Sequence, residues 1–285
     1  MAQNPSRGAL GDLQQHRREY PQWLWCDLNL SLLDLIVAGI GAFAAGVVNA
    51  LAGGGTLISF PILVAIGVPA LPANITNTVA LTPGYFSGTL AQRADLIPQM
   101  ARTKQLAAIG LAGGLAGSVL LEMTPNHAFS AAVPWLILIS CILLLVQNKV
   151  RNWVRVRTNT RSVSGTSSRH PLGLFVTVFF AAVYGGFFGA GLGIMLLGLL
   201  GLFTDDNLVH LNALKQALSL VINLCAAVLF AITGNVRWQL VPVMAIAALF
   251  GGHLGGRLSR IVNPTLLRWT VVVFGVAVAI KFWLK

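Results

Sequence analysis

A series of polar side chains within the hydrophobic block 208–233 could bind an anion. They recur at helical spacing, so they share one face of a predicted helix: Asn212, Lys215 or Gln216, Ser219 and Asn223. Lys215 offers a positive charge and three N–H donors, and the amide and hydroxyl groups add neutral donors. A charge inside a membrane-spanning helix costs about 2.5–3.5 kcal/mol on insertion scales. Lys215 therefore predicts an anion site, unless it lies close enough to the block end to reach the lipid headgroups.

A second polar face lies 138 positions earlier in the chain. Asn74, Asn77 and Thr78 occupy the places that correspond to Asn212, Lys215 and Gln216. If the two helices face one another, these side chains line the same cavity. We therefore include all three in the predicted substrate site.

Two glycine-rich stretches interrupt the longest hydrophobic blocks, 31–67 and 171–203. They read NALAGGGTLISFP at 49–61 and GGFFGAGLGIML at 185–196. A continuous helix over the first block would be about 55 Å long, too long for one ~30 Å hydrocarbon core. Each segment must break inside the membrane, where freed backbone groups have to face protein, water or a ligand.

The first break could supply backbone donors to the anion. N–H groups beside Gly53, Gly54 and Gly55 add the positive end of a helix dipole if a short helix opens at Thr56. Asn49 and Thr56 flank this run, and the matching break contributes Gly191 and Gly193. The broken segments contain no Asp or Glu, which argues against a cation site built from carboxylates. The sequence predicts neither a metal ion nor another cofactor.

His253 is a candidate proton relay, because imidazole exchanges protons near neutral pH. The alternative is a hydrogen-bonded structural histidine in a packed helix. Ser118 with His253 is the one pairing that could suggest an intramembrane hydrolase, but Ser118 lacks a GxSx-type elbow. Catalysis is therefore not predicted.

The elements that must position these residues are apolar blocks of roughly membrane-spanning length. Of the 285 residues, 56% are hydrophobic and only 9% are charged, against roughly 25% charged residues in soluble domains. The blocks are 31–67, 73–92, 103–121, 130–148, 171–203, 208–233, 239–258 and 265–284. This pattern predicts an all-α integral membrane protein with several crossings.

The blocks form two similar halves. A gap-free shift of 138 positions aligns the blocks and places Gly113, Gly114 and Gly117 on Gly251, Gly252 and Gly255, glycines that we expect to allow close helix packing. We predict a polar tail at 1–30, homologous repeats of four to five helical segments at 31–148 and 171–285, and a basic cytoplasmic linker at 149–170. Broken helices at matching positions are typical of secondary transporters with a site at the repeat interface.

The segment AGVVNALAGGGTLISFPILVAIGVPALPANITNTVAL resembles the first-repeat signature of the sulfite exporter TauE/SafE family of membrane permeases. LNALKQALSLVINLCAAVLFAITGNVRW followed by GGHLGGRL resembles the second-repeat counterpart, although GAGLG replaces a run of consecutive glycines. The resemblance implies export of sulfite, an organosulfonate or a related sulfur or carboxylate anion across the cell inner membrane.

Two topologies remain open. If each broken segment makes one net crossing there are eight crossings, which the distribution of basic residues favours. If each crosses twice there are ten, and the halves have opposite orientations, as in other carriers with broken helices. An anion channel is the alternative function, and a homo-oligomer is left open.

The net charge of +11 is concentrated partly in the linker, where six of the 19 Lys and Arg residues fall. This distribution is typical of a cytoplasmic loop. The linker lacks aromatic residues interleaved as stacking platforms, so no nucleic-acid partner is predicted. The expected partners are the small anion and the lipid bilayer. We interpret Asp205 and Asp206 as surface charge.

Overall fold

The computed structural model describes residues 30–51, 53–161, 171–204, 206–233 and 236–258. In these ranges the chain forms helices, with no β-strand. The helices are α1 (Leu32–Leu51), α2 (Thr56–Ala65), α3 (Ala70–Ala91), α4 (Arg93–Leu96), α5 (Met100–Glu122), α6 (Asn126–Arg161), α7 (Pro171–Phe187), α8 (Leu192–Phe203), α9 (Leu208–Thr233) and α10 (Val241–Leu258). The predicted tail up to residue 29, the linker from residue 162 and the block 265–284 lie outside the described residues.

Among the described residues, five helical stretches are long and apolar enough to cross a membrane. They are Leu32–Leu51, Arg93–Glu122, Asn126–Val146, Leu208–Thr233 and Val241–Leu258. The shorter apolar helices α2, α7 and α8 adjoin the two glycine-rich stretches. The prediction of an all-α protein is thus confirmed for the part of the chain that the structure describes.

α1 shows the side-chain distribution expected of a helix in lipid. Ile36 and Ile40 are exposed, whereas Ala38, Ala42 and Gly46 are buried. Small residues on the inner face let helix backbones approach closely, and branched apolar residues face a solvent that is itself apolar. The larger apolar side chains of α1 therefore lie on its outer face, and the small residues lie on its inner face.

α6 continues through Lys149 to Arg161, so the first part of the predicted linker is helical. Val150 and Val154 lie against Gly198 and Gly201 of α8. This packing against α8 stabilises the part of α6 that follows its most apolar stretch, which ends at Val146.

Both predicted glycine breaks are present. α1 ends at Leu51 and α2 begins at Thr56, while α7 ends at Phe187 and α8 begins at Leu192. A β-carbon added to Gly55 would collide with the carbonyl of Ala45, and one added to Gly41 would lie 2.5 Å from Ile62 Cδ1. Gly55, just before α2, thus meets Ala45, whereas Ile62, later in α2, meets Gly41, which is earlier in α1. The chain therefore reverses direction at the break.

α8 returns along α7 in the same way. The connection of only a few residues and a shared hydrophobic cluster, which contains Leu174 and Val178 with Leu196 and Leu200, require an antiparallel pair.

The helices form two packed groups joined through α3 and α9. α10 packs against α1 and α3, and α5 packs against α7 and α9. Glycines provide the close approach: a β-carbon on Gly251 would collide with the carbonyl of Phe43, and one on Gly113 would lie 2.6 Å from the carbonyl oxygen of Phe179. A helix from each half of the sequence thus packs mainly against helices of the other half.

Within each group the helices run parallel. Along α10, Gly251 meets Phe43 and Gly255 meets Val47 on α1. Contacts with α3 advance in the same direction, from Gly84 at Gly252 to Ala91 at Gly256. In the other group α5 advances alongside α7, from Phe179 at Gly113 to Val183 at Gly117.

The two groups run in opposite directions. Asn212 Nδ2 lies 2.7 Å from Gln92 Oε1, while Gln216 Nε2 lies 3.5 Å from the carbonyl oxygen of Tyr85, so α9 is antiparallel to α3. α5 runs parallel to α9, since Leu111 meets Cys225 and Glu122 meets Thr233.

Helices matched by the 138-residue shift therefore point in opposite directions: α1 and α7, α3 and α9, α5 and α10. This contradicts the eight-crossing arrangement, in which matched helices would run the same way. The basic residues favour the eight-crossing arrangement because they indicate only on which side a loop lies. The direction of each helix depends instead on the reversal at the glycine breaks, which lie inside apolar segments.

Candidate functional site

The two glycine breaks meet in the interior. A β-carbon on Gly193 would lie 2.6 Å from the α-carbon of Gly53. Gly53 and Gly191, which the 138-residue shift aligns, have φ values of +88° and +80°, a region that residues with a β-carbon rarely adopt. Glycine is thus required both for the turns and for the contact between them.

Two short helices begin at this contact and extend away in opposite directions. α2 has 10 residues and α8 has 12 residues, which correspond to about 15 and 18 Å. Together they are about as long as a hydrocarbon core of ~30 Å, so each of them spans only part of it. The N-terminal ends of both helices, which carry partial positive charge, converge at the contact.

The first break is held by its own side chains. Asn49 Oδ1 accepts a hydrogen bond from the backbone N–H of Gly55 at 2.7 Å. The N–H of Gly53 donates to the carbonyl of Val48 at 2.9 Å, which closes the end of α1. The hydroxyl of Tyr85 on α3 hydrogen bonds with the side chains of Thr56 and Asn49.

The second break is held at the carbonyl of Ala190. Tyr184 Oη donates to this oxygen at 2.6 Å. Ser140 Oγ of α6 lies 3.0 Å from the same oxygen and 2.7 Å from the carbonyl oxygen of Leu136, and its one hydrogen is shared between them. The two hydroxyl oxygens lie 2.9 Å apart. A backbone carbonyl freed by the break is therefore satisfied by side chains of two helices.

Lys215 lies beside the junction. Its side chain is 1% exposed, and its Nζ is 3.4 Å from the carbonyl oxygen of Ala50 and 3.5 Å from that of Asn49. A cation at the C-terminal end of a helix interacts favourably with the exposed carbonyls. The alternative in which Lys215 extends to the headgroups is excluded by this burial.

Asn74 and Asn212 make related contacts across the junction. Asn212 Nδ2 is 3.5 Å from the carbonyl oxygen of Ala50 in the last turn of α1. Asn74 Nδ2 donates to the carbonyl oxygen of Phe187, the last residue of α7, at 3.0 Å. Each asparagine thus contacts the end of the broken helix that belongs to the other half of the sequence.

The remaining polar residues predicted on α3 and α9 are buried: Asn77, Thr78, Gln216, Ser219 and Asn223. Two of them bond their own helix, since Thr78 Oγ1 donates to the carbonyl of Asn74 at 3.0 Å and Asn223 Nδ2 donates to that of Ser219 at 2.8 Å. Their hydrogen bonds stabilise the polar faces locally.

His253 and Ser118 are the candidates for proton relay and for catalysis. His253 is half-buried on α10, and its role as a proton relay stays a prediction. Ser118 is buried on α5 and donates to the carbonyl of Leu115 at 3.0 Å. Because α5 and α10 belong to different packed groups, the structure gives no support to a Ser118–His253 pair. Among the described residues, no cluster of three or more His, Cys, Asp or Glu could hold a metal ion.

Sequence patterns did not single out four of the residues that shape this site: Tyr85, Gln92, Ser140 and Tyr184. The 138-residue shift places Tyr85 on Asn223, a correspondence that could have identified it. Tyr184 directly precedes the second glycine stretch, a position that could have identified it. Ser140 carries no comparable signal, because its role depends on α6 passing the second break.

The comparisons with known proteins cover most of the chain. The sequence model of a family described as "Sulfite exporter TauE/SafE" matches residues 38–282. A "Probable membrane transporter protein" of Haemophilus influenzae is 27% identical over 256 residues, which cover 90% of this chain and 96% of the relative. The "Probable membrane transporter protein YfcA" of Escherichia coli K12 is 24% identical, with 84% and 86% covered. No solved structure matches the chain significantly.

Proposed function

The chain belongs to the sulfite exporter TauE/SafE family, and on this premise we propose that it is a secondary transporter of a small anion. Its apolar helices and its relatives make it a multi-pass membrane protein of a transporter family. The proposed substrate is sulfite, an organosulfonate or a related sulfur or carboxylate anion, and the proposed location is the cell inner membrane.

The convergence of positive groups at the Gly53–Gly193 contact carries this proposal. The N-terminal ends of α2 and α8 meet there, and the ammonium of Lys215 lies at the adjacent end of α1. Each helix end stabilises an anion by about 0.3–1 kcal/mol, and by up to ~2 kcal/mol when partly buried. Hydrogen bonds from an ammonium to an oxyanion are stronger than neutral ones, and Lys215 has three N–H donors with which to hold both a helix end and an anion.

The arrangement of the helices supports alternating access as the mechanism. Matched helices that run in opposite directions correspond to the inverted repeats of many carriers, in which one unit rocks against the other around a central site.

A ligand screen of the purified protein tests the proposal. We expect sulfite, a sulfonate, thiosulfate or a small carboxylate to raise the melting temperature, since a ligand at 100 times its Kd stabilises the fold by about 2.7 kcal/mol. Lys215→Met should abolish the shift, whereas Lys104→Met, at an exposed position, should retain it. Equal stabilisation of Lys215→Met would remove Lys215 from the site.

Flux measurements in proteoliposomes separate the two mechanisms. A carrier should show uptake that saturates with anion concentration and exchange of internal for external anion. Current that rises with voltage at high conductance would instead identify an anion channel. Absence of both anion binding and flux for every tested anion would contradict the proposed function.

A further inference from the structure

Two amide oxygens on α3 are buried without a hydrogen-bond partner among the described residues: Asn74 Oδ1 and Asn77 Oδ1. Both side chains are 1% exposed. The amide of Asn74 has a defined orientation, because its Nδ2 donates to the carbonyl of Phe187 at 3.0 Å. A buried polar atom that lacks a partner costs about 1–3 kcal/mol, so these oxygens indicate that a donor or a cation completes the site.

The corresponding place in the other half contains a cation. The 138-residue shift places Asn74 and Asn77 on Asn212 and Lys215. On α9 the ammonium of Lys215, one turn from Asn212, lies at the last carbonyls of α1. On α3, Asn77 stands one turn from Asn74, which contacts the last residue of α7. Where one half has a tethered ammonium, the other has two neutral amides whose oxygens lack a partner among the described residues.

The chemistry of this place favours a cation over an anion. The C-terminal end of α7 carries partial negative charge and carbonyls that have no partner within the helix. Bare amide oxygens repel an oxyanion for the same reason. Divalent cations generally require carboxylates to replace their water, and neither Asn74 nor Asn77 supplies one.

We propose that the Asn74 and Asn77 side-chain oxygens and the C-terminal carbonyls of α7 form a binding site for a small monovalent cation, for which Na⁺ is the test ion. At the end of α7, the cation occupies the place that corresponds to the position of the Lys215 ammonium at the end of α1. Carbonyls at the ends of broken helices coordinate Na⁺ or protons in other transporters. A role as coupling ion rests on the proposed function, whereas binding of the cation does not.

Ion-dependent stability of the purified full chain tests this site. We expect the melting temperature to rise saturably with NaCl or sodium gluconate but not with choline chloride, and we expect radioactive sodium to bind at equilibrium. Potassium chloride measures selectivity for Na⁺. Asn77→Leu should lose the Na⁺ effect. Thr103→Val is the control at another buried polar position, since Thr103 is 7% exposed and its hydroxyl donates to the carbonyl of Gln99 at 3.0 Å, and it should keep the effect.

Asn77→Lys provides the sharper variant, because it gives α3 the ammonium that α9 already has. It should be as stable without Na⁺ as the unmodified protein is with Na⁺, and it should not respond to the ion. This variant decides the question even if Asn77→Leu does not fold. Full Na⁺ binding by Asn77→Lys would overturn the proposed location.

The outcomes separate this site from the proposed function. Anion binding without any Na⁺ effect on stability or any sodium binding overturns the cation site and leaves the anion transporter intact. Sodium binding without binding of any anion supports the cation site and contradicts the proposed function. An equal response to choline, sodium and potassium salts would show a general effect of ionic strength and would also overturn the site.

Discussion

Gly193 of α8 touches Gly53 through the backbone, so that a β-carbon on Gly193 would lie 2.6 Å from the α-carbon of Gly53. The contact joins two breaks that come from different halves of the sequence. Any side chain at either position must separate them. The contact therefore fixes the distance between the N-terminal ends of α2 and α8.

Gly193→Ala is expected to destabilise the protein by about 1–3 kcal/mol through overpacking. Gly193 lies within α8, so alanine introduces a steric conflict without backbone strain. The control is Gly110→Ala on α5, where the nearest atom to the added carbon is 3.4 Å away; helix propensity there favours alanine by about 1 kcal/mol. Thermal unfolding in detergent measures both. Equal stability of the two variants would contradict the contact.

The opposite directions of α1 and α7 predict that their first residues lie on opposite sides of the membrane. Leu32 in the first turn of α1 and Leu172 in the first turn of α7 are each 74% exposed. In a background without cysteine, Leu32→Cys and Leu172→Cys should react with an impermeant maleimide from opposite sides. Labelling of both from the same side would instead support the eight-crossing arrangement.

The second break is expected to weaken when its hydroxyl donors are removed. Tyr184→Phe alone leaves Ser140 bonded to the carbonyl of Ala190, so the cost should be about 0.5–1.5 kcal/mol. Adding Ser140→Ala removes the other hydroxyl within hydrogen-bond distance of that carbonyl, and the double variant should lose more than the sum of the single losses. Thr177→Val, whose hydroxyl bonds within α7, should change stability by less than about 0.5 kcal/mol. Additive losses in chemical unfolding would argue against a shared acceptor.

An ion pair joins the start of α5 to the connection between α8 and α9. Arg102 contacts Asp206, and Gln99 Nε2 on the preceding turn donates to the carbonyl of His210 at 2.7 Å. Asp206 is therefore not merely the surface charge that its sequence position indicated.

A double-mutant cycle with Arg102→Ala and Asp206→Ala should give a coupling energy of about 0.2–1 kcal/mol, because the pair is partly exposed. The coupling should decrease at high salt. The exchanged pair, Arg102→Asp with Asp206→Arg, should regain part of the stability lost by either single charge reversal. A coupling energy of zero at low salt would show that the contact is not stabilising.

The sequence could predict the glycine breaks, and it could identify Lys215 as a charge that needs partners, because both depend on local physics. A hydrophobic segment too long for the bilayer has to break, and a charge deep in an apolar block has to find partners inside the protein. Sequence alone could not predict that α5 and α10 pack in opposite groups. Gly113 and Gly251 mark a face that allows close approach, but they do not specify which helix approaches.

The side-chain support of the breaks was equally hard to predict. Ser140 acts only because α6 passes the carbonyl of Ala190, a contact between residues distant in sequence. The orientation of the halves was obscured for another reason: basic residues report the location of loops, whereas the hairpin of α1 and α2 changes direction inside the apolar block.

The packing of α10 between α1 and α3 has a consequence for biogenesis. The ribosome completes α3 at Ala91 long before it reaches α10 at Val241–Leu258, a delay of roughly 10–30 s at about 5–20 residues per second. During that interval α10, which packs against the small-residue faces of α1 and α3 in the final structure, has not yet been synthesised. The nascent chain must therefore be held in the membrane with this groove filled by lipid or by an insertion factor until its last described helix arrives.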